Sequence, residues 1–396
     1  MINILIIFGT RPEAIKLAPV VLRLKEAAPF KVKVAVTAQH RRMLDQVLEL
    51  FSIVPDYDLD LMTPDQDLFD ITGRVLAGLK EVLGREKPDL VMVQGDTSTT
   101  FAAALAAFYL KIPVAHVEAG LRTRDKYRPF PEEVNRRLTG VLADYHFAPT
   151  AWARDNLAAE GVAPESIWVT GNTVIDALKI VQARVAGEGE VWGEYFKSRY
   201  GLDLEQGRLI LVTGHRRENF GRGFENICLA LRDLVEHCPG VQAVYPVHLN
   251  PHVQQAVLSL MAQIKGEVTQ RGEAATVQVS GGGSLTLLPP LDYAPFVYLM
   301  SRSYLVLTDS GGIQEEAPAL GKPVLVMREV TERPEGVWAQ TVKLVGTDRQ
   351  RIFQEVKELL DNPEAYRLRA QARNPYGDGQ AAQRIVETLT RELGGK

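Results

Sequence analysis

The chain alternates between short, continuously apolar segments and longer segments in which apolar residues recur every three or four positions. The first pattern is typical of buried β-strands and the second of amphipathic helices. Because continuous apolar strands joined by helices form parallel sheets covered on both faces, the pattern predicts an α/β fold. The apolar segments are residues 2–8, 31–38, 88–94 and 112–120 in the first half, and 208–214, 241–248, 304–310 and 323–327 in the second.

The same alternation occurs in both halves of the chain, which predicts two Rossmann-like domains. A length of 396 residues is too great for one ordinary core and sufficient for two. We assign residues 1–183 to the first domain and residues 184–373 to the second. The glycine- and charge-rich segment 184–201 is predicted to cross between them. Segment 265–290, which contains a run of glycines, is predicted to be an irregular insertion or long loop.

The composition is that of an ordinary globular protein, with 46% hydrophobic and 24% charged residues. The net charge of −4 disfavours a general nucleic-acid binder. No apolar run approaches the roughly 18 residues that span a bilayer, and the first residues do not resemble a secretory signal. Cys228 and Cys238 form neither a disulfide framework nor a zinc pattern. We therefore expect a cytoplasmic protein that binds neither nucleic acid nor a membrane.

Polar, small or charged residues follow five of the predicted strands. Ligands of open parallel sheets bind beyond the carboxyl ends of the strands, so these residues are the candidates for a site. They are Gly9, Thr10, Arg11 and Lys16 after the first strand, Gly95, Asp96 and Thr97 after the third, Glu118, Ala119, Gly120 and Arg122 after the fourth, residues 214–219 after the fifth, and Asp309, Ser310, Gly311 and Gly312 after a later one.

The second half offers groups that bind anions. Residues 214–219, GHRREN, place a histidine and two arginines together. Ser310, Gly311 and Gly312 precede a predicted helix, whose first backbone N–H groups and dipole favour an anion such as phosphate. The alternatives are a solvated turn for the first segment and a tight turn before a capped helix for the second.

The first half offers carboxylates. Asp96 and Glu118 end two strands, and Glu132 follows in the segment RPFPEE. Carboxylates opposite a phosphate-binding half indicate general acid–base chemistry on a nucleotide-linked substrate, whereas each one alone is also a common helix cap. Residues 135–140, NRRLTG, are predicted to be a solvated helix face.

Several other chemistries are disfavoured. The first strand–helix turn lacks the G-x-G-x-x-G of a nicotinamide-dinucleotide site, and the chain lacks the G-x-x-x-x-G-K-[ST] of a P-loop. His248 and His252 are four residues apart, but Asn250 and Pro251 lie between them, which disfavours a shared metal ion.

Taken together, the motifs resemble those of the non-hydrolysing UDP-N-acetylglucosamine 2-epimerases, in the same order over nearly the whole chain. The main departure is residues 265–285, which are longer here than in the family. The motifs include GTRPEAIKLAPV (9–20), QGDTSTT (94–100), PVAHVEAGLRT (113–123), PFPEEVNRRLTG (129–140), VTGHRRENFG (212–221), TDSGGIQEEAPALGKPVLVM (308–327) and NPYGDGQAAQRI (374–385).

The resemblance implies a glycosyltransferase-B-like pair of Rossmann-like domains with the active site in the interdomain cleft. It implies that residues 374–396 form a helix that returns to the first domain, and that the protein is a homodimer. The implied reaction interconverts UDP-N-acetylglucosamine and UDP-N-acetylmannosamine without a cofactor or metal. Because the C2 proton is not adjacent to a carbonyl group, the route is elimination of UDP to 2-acetamidoglucal followed by re-addition.

The resemblance also implies which residues contact the substrate, although it leaves open which carboxylate is the base and which the acid. The implied roles are proton chemistry for Asp96, Glu118 and Glu132, contact with the phosphates for Arg11, Lys16, His215, Arg216, Ser310, Gly311 and Gly312, contact with the ribose for Glu316, and contact with the uracil for Phe296.

The resemblance also implies that a second molecule of UDP-N-acetylglucosamine binds to the enzyme as an allosteric activator. Position 42 is Arg in this chain where some relatives carry Gln, so that contact is left open. The residues expected to bind the activator are Gln39, Arg74, Arg216, Glu218 and His248.

Three alternative functions remain at this point. The closest is a hydrolysing epimerase, which releases N-acetylmannosamine and UDP after the same elimination. The second is a glycosyltransferase of the same fold, which needs an acceptor pocket. The third is a non-catalytic sensor of UDP-sugars, which the set of three carboxylates disfavours because a pure binder has no need of them.

Overall fold

The computed structural model describes residues 1–37, 41–61, 63 and 66–394. It divides the chain into two compact units. Unit 1 comprises Met1–Lys179 together with Tyr376–Lys396, and unit 2 comprises Ile180–Pro375.

The strands of the described residues belong to two sheets, one in each unit. The strands are β1 Ile2–Phe8, β2 Phe30–Val36, β3 Tyr57–Asp58, β4 Leu90–Gln94, β5 Val114–Val117, β6 Tyr145–Ala148, β7 Ile167–Val169, β8 Arg208–Thr213, β9 Val241–Pro246, β10 Glu267–Arg271, β11 Ala274–Gln278, β12 Ser284–Leu288, β13 Leu305–Thr308, β14 Val324–Val326 and β15 Val342–Leu344.

The helices of the described residues flank these sheets. They are α1 Arg11–Glu26, α2 Arg41–Leu50, α3 Leu68–Glu86, α4 Ser98–Tyr109, α5 Glu132–Leu142, α6 Ala151–Ala159, α7 Thr173–Gly187, α8 Gly189–Tyr200, α9 Arg222–His237, α10 Pro251–Gln263, α11 Tyr293–Arg302, α12 Gly311–Ala319, α13 Pro334–Trp338, α14 Arg349–Asp361, α15 Pro363–Ala370 and α16 Ala381–Leu393, with short 3₁₀ turns at Pro164–Ser166 and Arg217–Asn219.

Both sheets have the strand order of a doubly wound fold. The sheet of unit 1 runs β3-β2-β1-β4-β5-β6-β7, and every pair in it is parallel. In unit 2 the strands β12-β9-β8-β13-β14-β15 are parallel in the equivalent order. In each sheet the order reverses beside the first strand of the unit, which is where such folds bind ligands. The predicted α/β class with two Rossmann-like domains is confirmed.

The burial of the strands explains why the apolar segments predicted them. All residues of β4, β5, β12 and β13 are buried, so these strands lack the alternation of a sheet with one wet face. Helix α1 begins with a capping box, in which Thr10 accepts from the Glu13 backbone and the Glu13 side chain returns to Thr10.

Two predicted irregular segments are regular in the structure. Segment 265–290 is not a long loop, because β10 and β11 form an antiparallel hairpin that extends the sheet through β12. Every side chain of β10 is exposed, so this strand carries no apolar run that a sequence pattern could reveal. Segment 184–201 contains the end of α7 and all of α8. Its aromatic residues, among them the buried Phe196 and Tyr200, pack that helix despite the flanking glycines.

The chain leaves unit 1 within α7 and returns before α16. Helix α16 packs against α1. The Asp176 carboxylate on α7 accepts hydrogen bonds from the backbone N–H groups of Ala381 (3.1 Å) and Ala382 (2.9 Å), which are otherwise unpaired donors at the start of α16. Within the described ranges, no helix is both long and apolar enough to cross a membrane.

Candidate active site

Glu118 is the centre of a buried polar cluster in unit 1. It follows β5 directly, has a left-handed φ of 63° and is only 8% exposed. Its Oε1 lies 2.5 Å from Lys16 Nζ and accepts a hydrogen bond from Asn172 Nδ2 at 2.9 Å. Gln94 Nε2 donates to Oε2. Donors from three distant parts of the chain therefore hold this carboxylate at the carboxyl end of the sheet.

The turn after Glu118 requires a glycine. Gly120 has a φ of 92°, and a Cβ atom there would lie 2.2 Å from the carbonyl oxygen of Ala153. The backbone of this turn therefore packs directly on α6. Glu118 itself is not a glycine, so its left-handed backbone conformation costs conformational energy. Such strain is often found at functional sites, where the backbone must hold a side chain in one orientation.

Asp96 is held by an arginine from α5. Arg136 Nε lies 3.2 Å from Asp96 Oδ2, and Arg136 Nη2 donates to the same oxygen. Asn135 Nδ2 donates to the Asp96 backbone carbonyl at 3.0 Å. Thr139 and Gly140 are also buried, so the prediction that residues 135–140 are a solvated helix face is wrong for four of the six. Asn135 and Arg136 are 7% and 6% exposed. Their hydrogen bonds explain why polar side chains are buried here.

The two glutamates at the start of α5 have different surroundings. Glu132 is the first residue of the helix and is partly buried. Glu133 is fully buried, accepts from the backbone N–H groups of Thr123 (3.0 Å) and Arg124 (3.1 Å) and pairs with Arg136 Nη1 at 3.0 Å. Glu133 therefore fixes the loop before α5.

Glu13 is a functional candidate that sequence reasoning missed. Its Oε2 accepts from the backbone N–H groups of Gly9 (3.0 Å) and Thr10 (2.7 Å). Its Oε1 accepts from the hydroxyl groups of Thr97 (2.6 Å) and Thr100 (2.9 Å). The capping-box spacing of Thr10 and Glu13 signals the first pair, but the contact with the loop after β4 depends on the fold. Glu13 thus ties together the loops that carry Arg11 and Asp96.

His116 on β5 supports the same loop from beneath. Its Nε2 lies 2.7 Å from the Gly95 carbonyl oxygen, and because a carbonyl only accepts, Nε2 is the donor. Burial lowers the pKa of His116 to about 3, although the bond to Gly95 opposes the shift. The neighbouring His146 on β6 has a pKa lowered to about 4, also mainly by burial. Both imidazoles are therefore neutral at physiological pH.

Three further candidates of unit 1 have other positions. Arg11 is the partly buried first residue of α1. Arg122 is buried and pairs with the Glu160 carboxylate through Nε (2.8 Å) and Nη2 (2.7 Å), which makes it part of the scaffold around α6. Arg74 is exposed on α3, and its Nη1 donates to Thr63 Oγ1 at 2.8 Å. Gln39 and the side chain of Arg42 lie outside the described residues.

In unit 2 the segment 214–219 is folded around the buried Asp309. Asp309 Oδ2 accepts from the backbone N–H groups of His215 (2.9 Å) and Arg216 (2.8 Å) and from Asn219 Nδ2 (3.2 Å). Asp309 is completely buried after β13, the strand beside β8. The loop is therefore shaped by a charge at the end of the neighbouring strand, not solvated as the alternative interpretation held.

The imidazole of His215 lies between Asp309 and His248. Its Nδ1 is 3.5 Å from Asp309 Oδ1, and its ring stacks on that of His248 with centroids 5.1 Å apart. Burial lowers the pKa of His215, and the attraction of Asp309 does not offset burial together with the repulsion from His248. A neutral imidazole in an anion-binding site can donate a hydrogen bond to an oxygen atom on which negative charge develops.

Arg216 and Glu218 belong to an ionic network centred on Glu332. Arg216 Nη2 lies 3.7 Å from Glu332 Oε1, and Arg328 and Arg333 contact the same carboxylate at 2.8 and 2.6 Å. Burial opposes ionisation of Glu332, but the three arginines outweigh it and hold its pKa at about 2. Glu218 Oε1 lies 2.6 Å from Arg328 Nε. The network fixes the basic side chains at this edge of the sheet.

The segment 310–312 begins α12 and leaves backbone donors available at the helix start. Ser310 is the N-cap residue, but its hydroxyl makes no capping hydrogen bond. A Cβ atom on Gly311 would lie 2.6 Å from Arg333 Nη1, so only glycine allows the arginine to come this close. Backbone N–H groups, a helix dipole and a nearby guanidinium together form a site suited to phosphate.

Glu316 and Phe296 lie beyond this segment. Glu316 is buried one turn into α12, and its Oε1 accepts from the Tyr293 hydroxyl at 2.5 Å. Phe296 is on α11, three residues after Tyr293, and is partly exposed. The structure thus places a carboxylate and an aromatic ring on adjacent helices of unit 2.

The comparisons with known proteins agree on one family. A family model described as UDP-N-acetylglucosamine 2-epimerase matches residues 22–390. The UDP-N-acetylglucosamine 2-epimerase of Escherichia coli K12 is 55% identical over 387 residues, which are 98% of this chain and 98% of that protein. A putative UDP-N-acetylglucosamine 2-epimerase of Thermotoga maritima is 51% identical, covering 100% of this chain and 98% of that one.

Solved structures give the same result. The crystal structure of the UDP-GlcNAc 2-epimerase of Neisseria meningitidis bound to UDP-GlcNAc matches with a TM-score of 0.88 and 48% identity, covering 98% of this chain and 100% of that one. The Methanocaldococcus jannaschii enzyme in complex with UDP-GlcNAc and UDP matches with a TM-score of 0.80 and 32% identity, with 98% and 100% covered. These structures share the glycosyltransferase-B-like fold. The chain therefore belongs to the UDP-N-acetylglucosamine 2-epimerase family, whose members are isomerases.

Proposed function

We propose that the chain catalyses the reversible C2 epimerisation of UDP-N-acetylglucosamine and UDP-N-acetylmannosamine without hydrolysis. The route is elimination of UDP to 2-acetamidoglucal followed by re-addition. Membership of the family supports the epimerisation, and the relatives crystallised with UDP-GlcNAc and with UDP support the substrate and the leaving group.

The reaction balances without a redox partner. In the first step a carboxylate takes the C2 proton, the C2–H electrons form the C1–C2 double bond, and the C1–O electrons leave with UDP. In the second step UDP oxygen adds back to C1 while an acid delivers a proton to the opposite face of C2. The scheme needs a base, an acid and a cationic or hydrogen-bonding site for the departing pyrophosphate.

The observation that carries the proposal is the buried Glu118 cluster at the carboxyl end of the first sheet. We assign the proton chemistry to Asp96, Glu118 and Glu132, of which the first two are held by Arg136 and by Lys16. Lys16 neutralises Glu118 in the free protein and is also a candidate contact of the phosphates. A lysine shared in this way would link the departure of UDP to the ionisation of the carboxylate.

We assign the binding of UDP to unit 2. The backbone N–H groups at Gly311 and Gly312, the Ser310 hydroxyl, the neutral His215 imidazole and Arg216 would contact the pyrophosphate. On the adjacent helices, Glu316 would accept from the ribose hydroxyls and Phe296 would lie beside the uracil. Charge grows on UDP as C1–O breaks, so donors fixed in advance by Asp309 and Glu332 stabilise the transition state most.

We further propose that a second molecule of UDP-N-acetylglucosamine activates the enzyme. Arg216, Glu218 and His248 lie together at one edge of the second sheet, and Arg74 is an exposed cation of unit 1. These are the described residues that the resemblance assigns to the activator; Gln39 completes the set outside the described ranges. The homodimer implied by the resemblance likewise stays a prediction.

One NMR time course tests the main proposal. UDP-N-acetylglucosamine is incubated with the protein in D₂O without added nicotinamide. We expect UDP-N-acetylmannosamine that carries deuterium at C2, because an enzyme acid exchanges with solvent before it returns the proton. Release of free N-acetylmannosamine and UDP would identify a hydrolysing epimerase instead. Retention of the original hydrogen at C2 would indicate an internal hydride route, and the absence of any product would overturn the proposal.

A further inference from the structure

Asn172 connects Glu118 to the two places at which the chain leaves and re-enters unit 1. It directly precedes α7, the helix within which the chain leaves. Its backbone N–H group donates to the carbonyl oxygen of Tyr376 at 2.7 Å, and Tyr376 is the residue at which the chain returns. Asn172 is only 2% exposed, and its Nδ2 donates to Glu118 Oε1 at 2.9 Å. One buried residue of unit 1 therefore contacts both crossings of the chain and a candidate catalytic carboxylate.

The orientation of the Asn172 amide follows from its two partners. Its Oδ1 accepts a hydrogen bond from the backbone N–H group of Val174 at 3.1 Å, in the first turn of α7. Because a backbone N–H group only donates and an ionised carboxylate only accepts, the amide oxygen must face α7 and the NH2 group must face Glu118. While Asn172 supports the start of the helix in this way, it can act on Glu118 only as a donor.

The groups that face Glu118 from α1, β4 and the start of α7 are hydrogen-bond donors. Lys16 Nζ on α1 lies 2.5 Å from Oε1, Asn172 donates to the same oxygen, and Gln94 at the end of β4 donates to Oε2. His116, two residues earlier on β5, is neutral and donates to a backbone carbonyl group instead. An ionised carboxylate accepts at both oxygens, whereas a protonated one must also place its own hydrogen. These partners therefore favour the ionised form of Glu118.

We propose that Asn172 is a positioning residue, which keeps Glu118 ionised and oriented to take the C2 proton and is itself held by α7 and by the returning chain at Tyr376. The inference rests on the proposed function, because it makes Glu118 the base of the elimination. It also explains why this position carries Asn. Asp would support the start of α7 equally well, but it would bring a second negative charge to Glu118.

The substitution Asn172→Asp separates the support of α7 from the contact with Glu118. The new carboxylate still accepts from Val174, but it places a negatively charged oxygen where the 2.9 Å hydrogen bond to Glu118 was. Two buried carboxylates this close bind a proton at higher pH than one alone, although Lys16 compensates one of the charges. The acid limb of the kcat–pH profile with UDP-N-acetylglucosamine should therefore move up by about one pH unit or more. Below that limb, such a shift lowers kcat about tenfold, whereas KM should change little.

Asn362→Asp is the matched control. Asn362 precedes α15, its Oδ1 accepts from the backbone N–H groups of Glu364 and Ala365 at 3.1 Å each, and its Nδ2 donates to Glu358 Oε1 at 2.7 Å. The same substitution thus brings the same charge to a glutamate, but at an exposed position of unit 2, and it should leave the profile unchanged. Asn172→Ser removes the donor without adding a charge and should shift the acid limb less, in the same direction. It decides the question if circular dichroism shows that the Asn172→Asp chain is unfolded.

Carbon-13 NMR of the substrate-free protein gives a measurement that does not depend on catalysis. The carboxyl signal of Glu118, identified by its loss in the Glu118→Gln chain, should titrate at higher pH in the Asn172→Asp chain than in the wild type. The same titration midpoint in both, a loss of kcat that is equal at every pH, or a shift of the basic limb instead of the acid limb would each overturn the proposal. A wild type that does not epimerise its substrate would refute the proposed function, while the NMR titration would still decide whether Asn172 keeps Glu118 ionised.

Discussion

The Lys16 ammonium group lies 2.5 Å from Glu118 Oε1, so α1 and the end of β5 are joined by a nearly buried ion pair. A lysine in this position can stabilise the ionised carboxylate while no substrate is bound and can contact an anionic leaving group when one is. The pair makes the two functions of the proposed reaction, proton removal and departure of UDP, depend on neighbouring atoms.

The first prediction concerns the carboxylates. Glu118→Gln, Asp96→Asn and Glu132→Gln should each lower kcat by roughly 10²-fold or more, because each removes a group that transfers or positions a proton. Substrate should still bind, which calorimetric titration checks. Glu86→Gln is the matched control, since Glu86 also pairs with a lysine, Lys33, at 2.7 Å but lies at the end of α3. Near-normal turnover of all three variants would contradict the assignment.

The second prediction concerns His215. His215→Ala removes a neutral donor at the site where negative charge grows, so it should lower kcat more than it raises KM. The loss in kcat/KM should correspond to roughly 2–4 kcal/mol of transition-state stabilisation. His252→Ala, which removes an imidazole from α10 that contacts the Phe220 ring, serves as the control. A change in KM alone would show that His215 only anchors the substrate.

The third prediction concerns the buried Asp309. Asp309→Asn replaces one carboxylate oxygen by an NH2 group, which cannot accept the hydrogen bonds that the His215 and Arg216 backbone N–H groups donate. The free energy of unfolding of the variant should be roughly 1–3 kcal/mol lower than that of the wild type. The variant should also bind UDP more weakly, because segment 214–219 loses the hydrogen bonds that hold it. Asp348→Asn is the control, because Asp348 also accepts from a backbone N–H group, that of Arg351 at 2.8 Å, but at a helix start where Asn caps equally well. Equal UDP affinity for the wild type and Asp309→Asn would contradict this role.

The fourth prediction is a pH dependence of stability. The folded chain holds the pKa of His116 at about 3 and that of His146 at about 4, whereas the unfolded imidazoles titrate near 6.5. Below about pH 6.5 the unfolded chain therefore binds more protons than the folded chain. The free energy of unfolding decreases as the pH is lowered, until the pH reaches the pKa values of the folded chain.

Calorimetry at pH 7 and pH 5 measures this fall as a decrease in unfolding temperature. His146→Gln should show a smaller decrease than the wild type, since it removes one of the two buried imidazoles. His237→Gln removes an exposed imidazole of unit 2 and should leave the decrease unchanged. The same decrease in all three proteins would show that the buried histidines do not control acid sensitivity.

The fifth prediction concerns activation by the gluco epimer. UDP-N-acetylmannosamine alone should turn over slowly, and a trace of UDP-N-acetylglucosamine should accelerate it, because the activator favours the active conformation. Arg74→Ala should abolish the acceleration without removing the basal rate, and Gln39→Ala should do the same. The measurement is the initial rate with and without the trace activator. A wild-type rate with no lag and no activation would rule out the second site.

The apolar pattern predicted the two sheets because their strands are buried on both faces. It did not predict β10, whose side chains are all exposed, or α8, whose glycines and charges concealed an aromatic face. Patterns reveal elements that the core selects, and β10 is stabilised by its backbone ladder with β11 instead.

The expectation that ligand-binding residues follow the strands correctly placed Asp96, Glu118 and Asp309 at the carboxyl ends of their sheets. It did not predict which residues form hydrogen bonds and ion pairs with them. The residues that hold Glu118 come from α1, β4 and the start of α7, and those that hold Asp96 come from α5. Of the two sets of contacts that Glu13 makes, only the capping box with Thr10 can be predicted from the local sequence. The contacts with Thr97 and Thr100 form only when the chain folds. A sequence shows which side chains are chemically competent, whereas their support depends on long-range contacts.

The return of α16 to α1 has a consequence for the order of synthesis. The ribosome makes β1 to β7 first, then all of unit 2, and only then the helix whose start Asp176 caps. When α15 has just left the ribosome, every helix and strand of unit 2 has been synthesised, but unit 1 still lacks α16. Domains fold as units during translation. The part of the protein that carries the candidate carboxylates is therefore begun first and completed last.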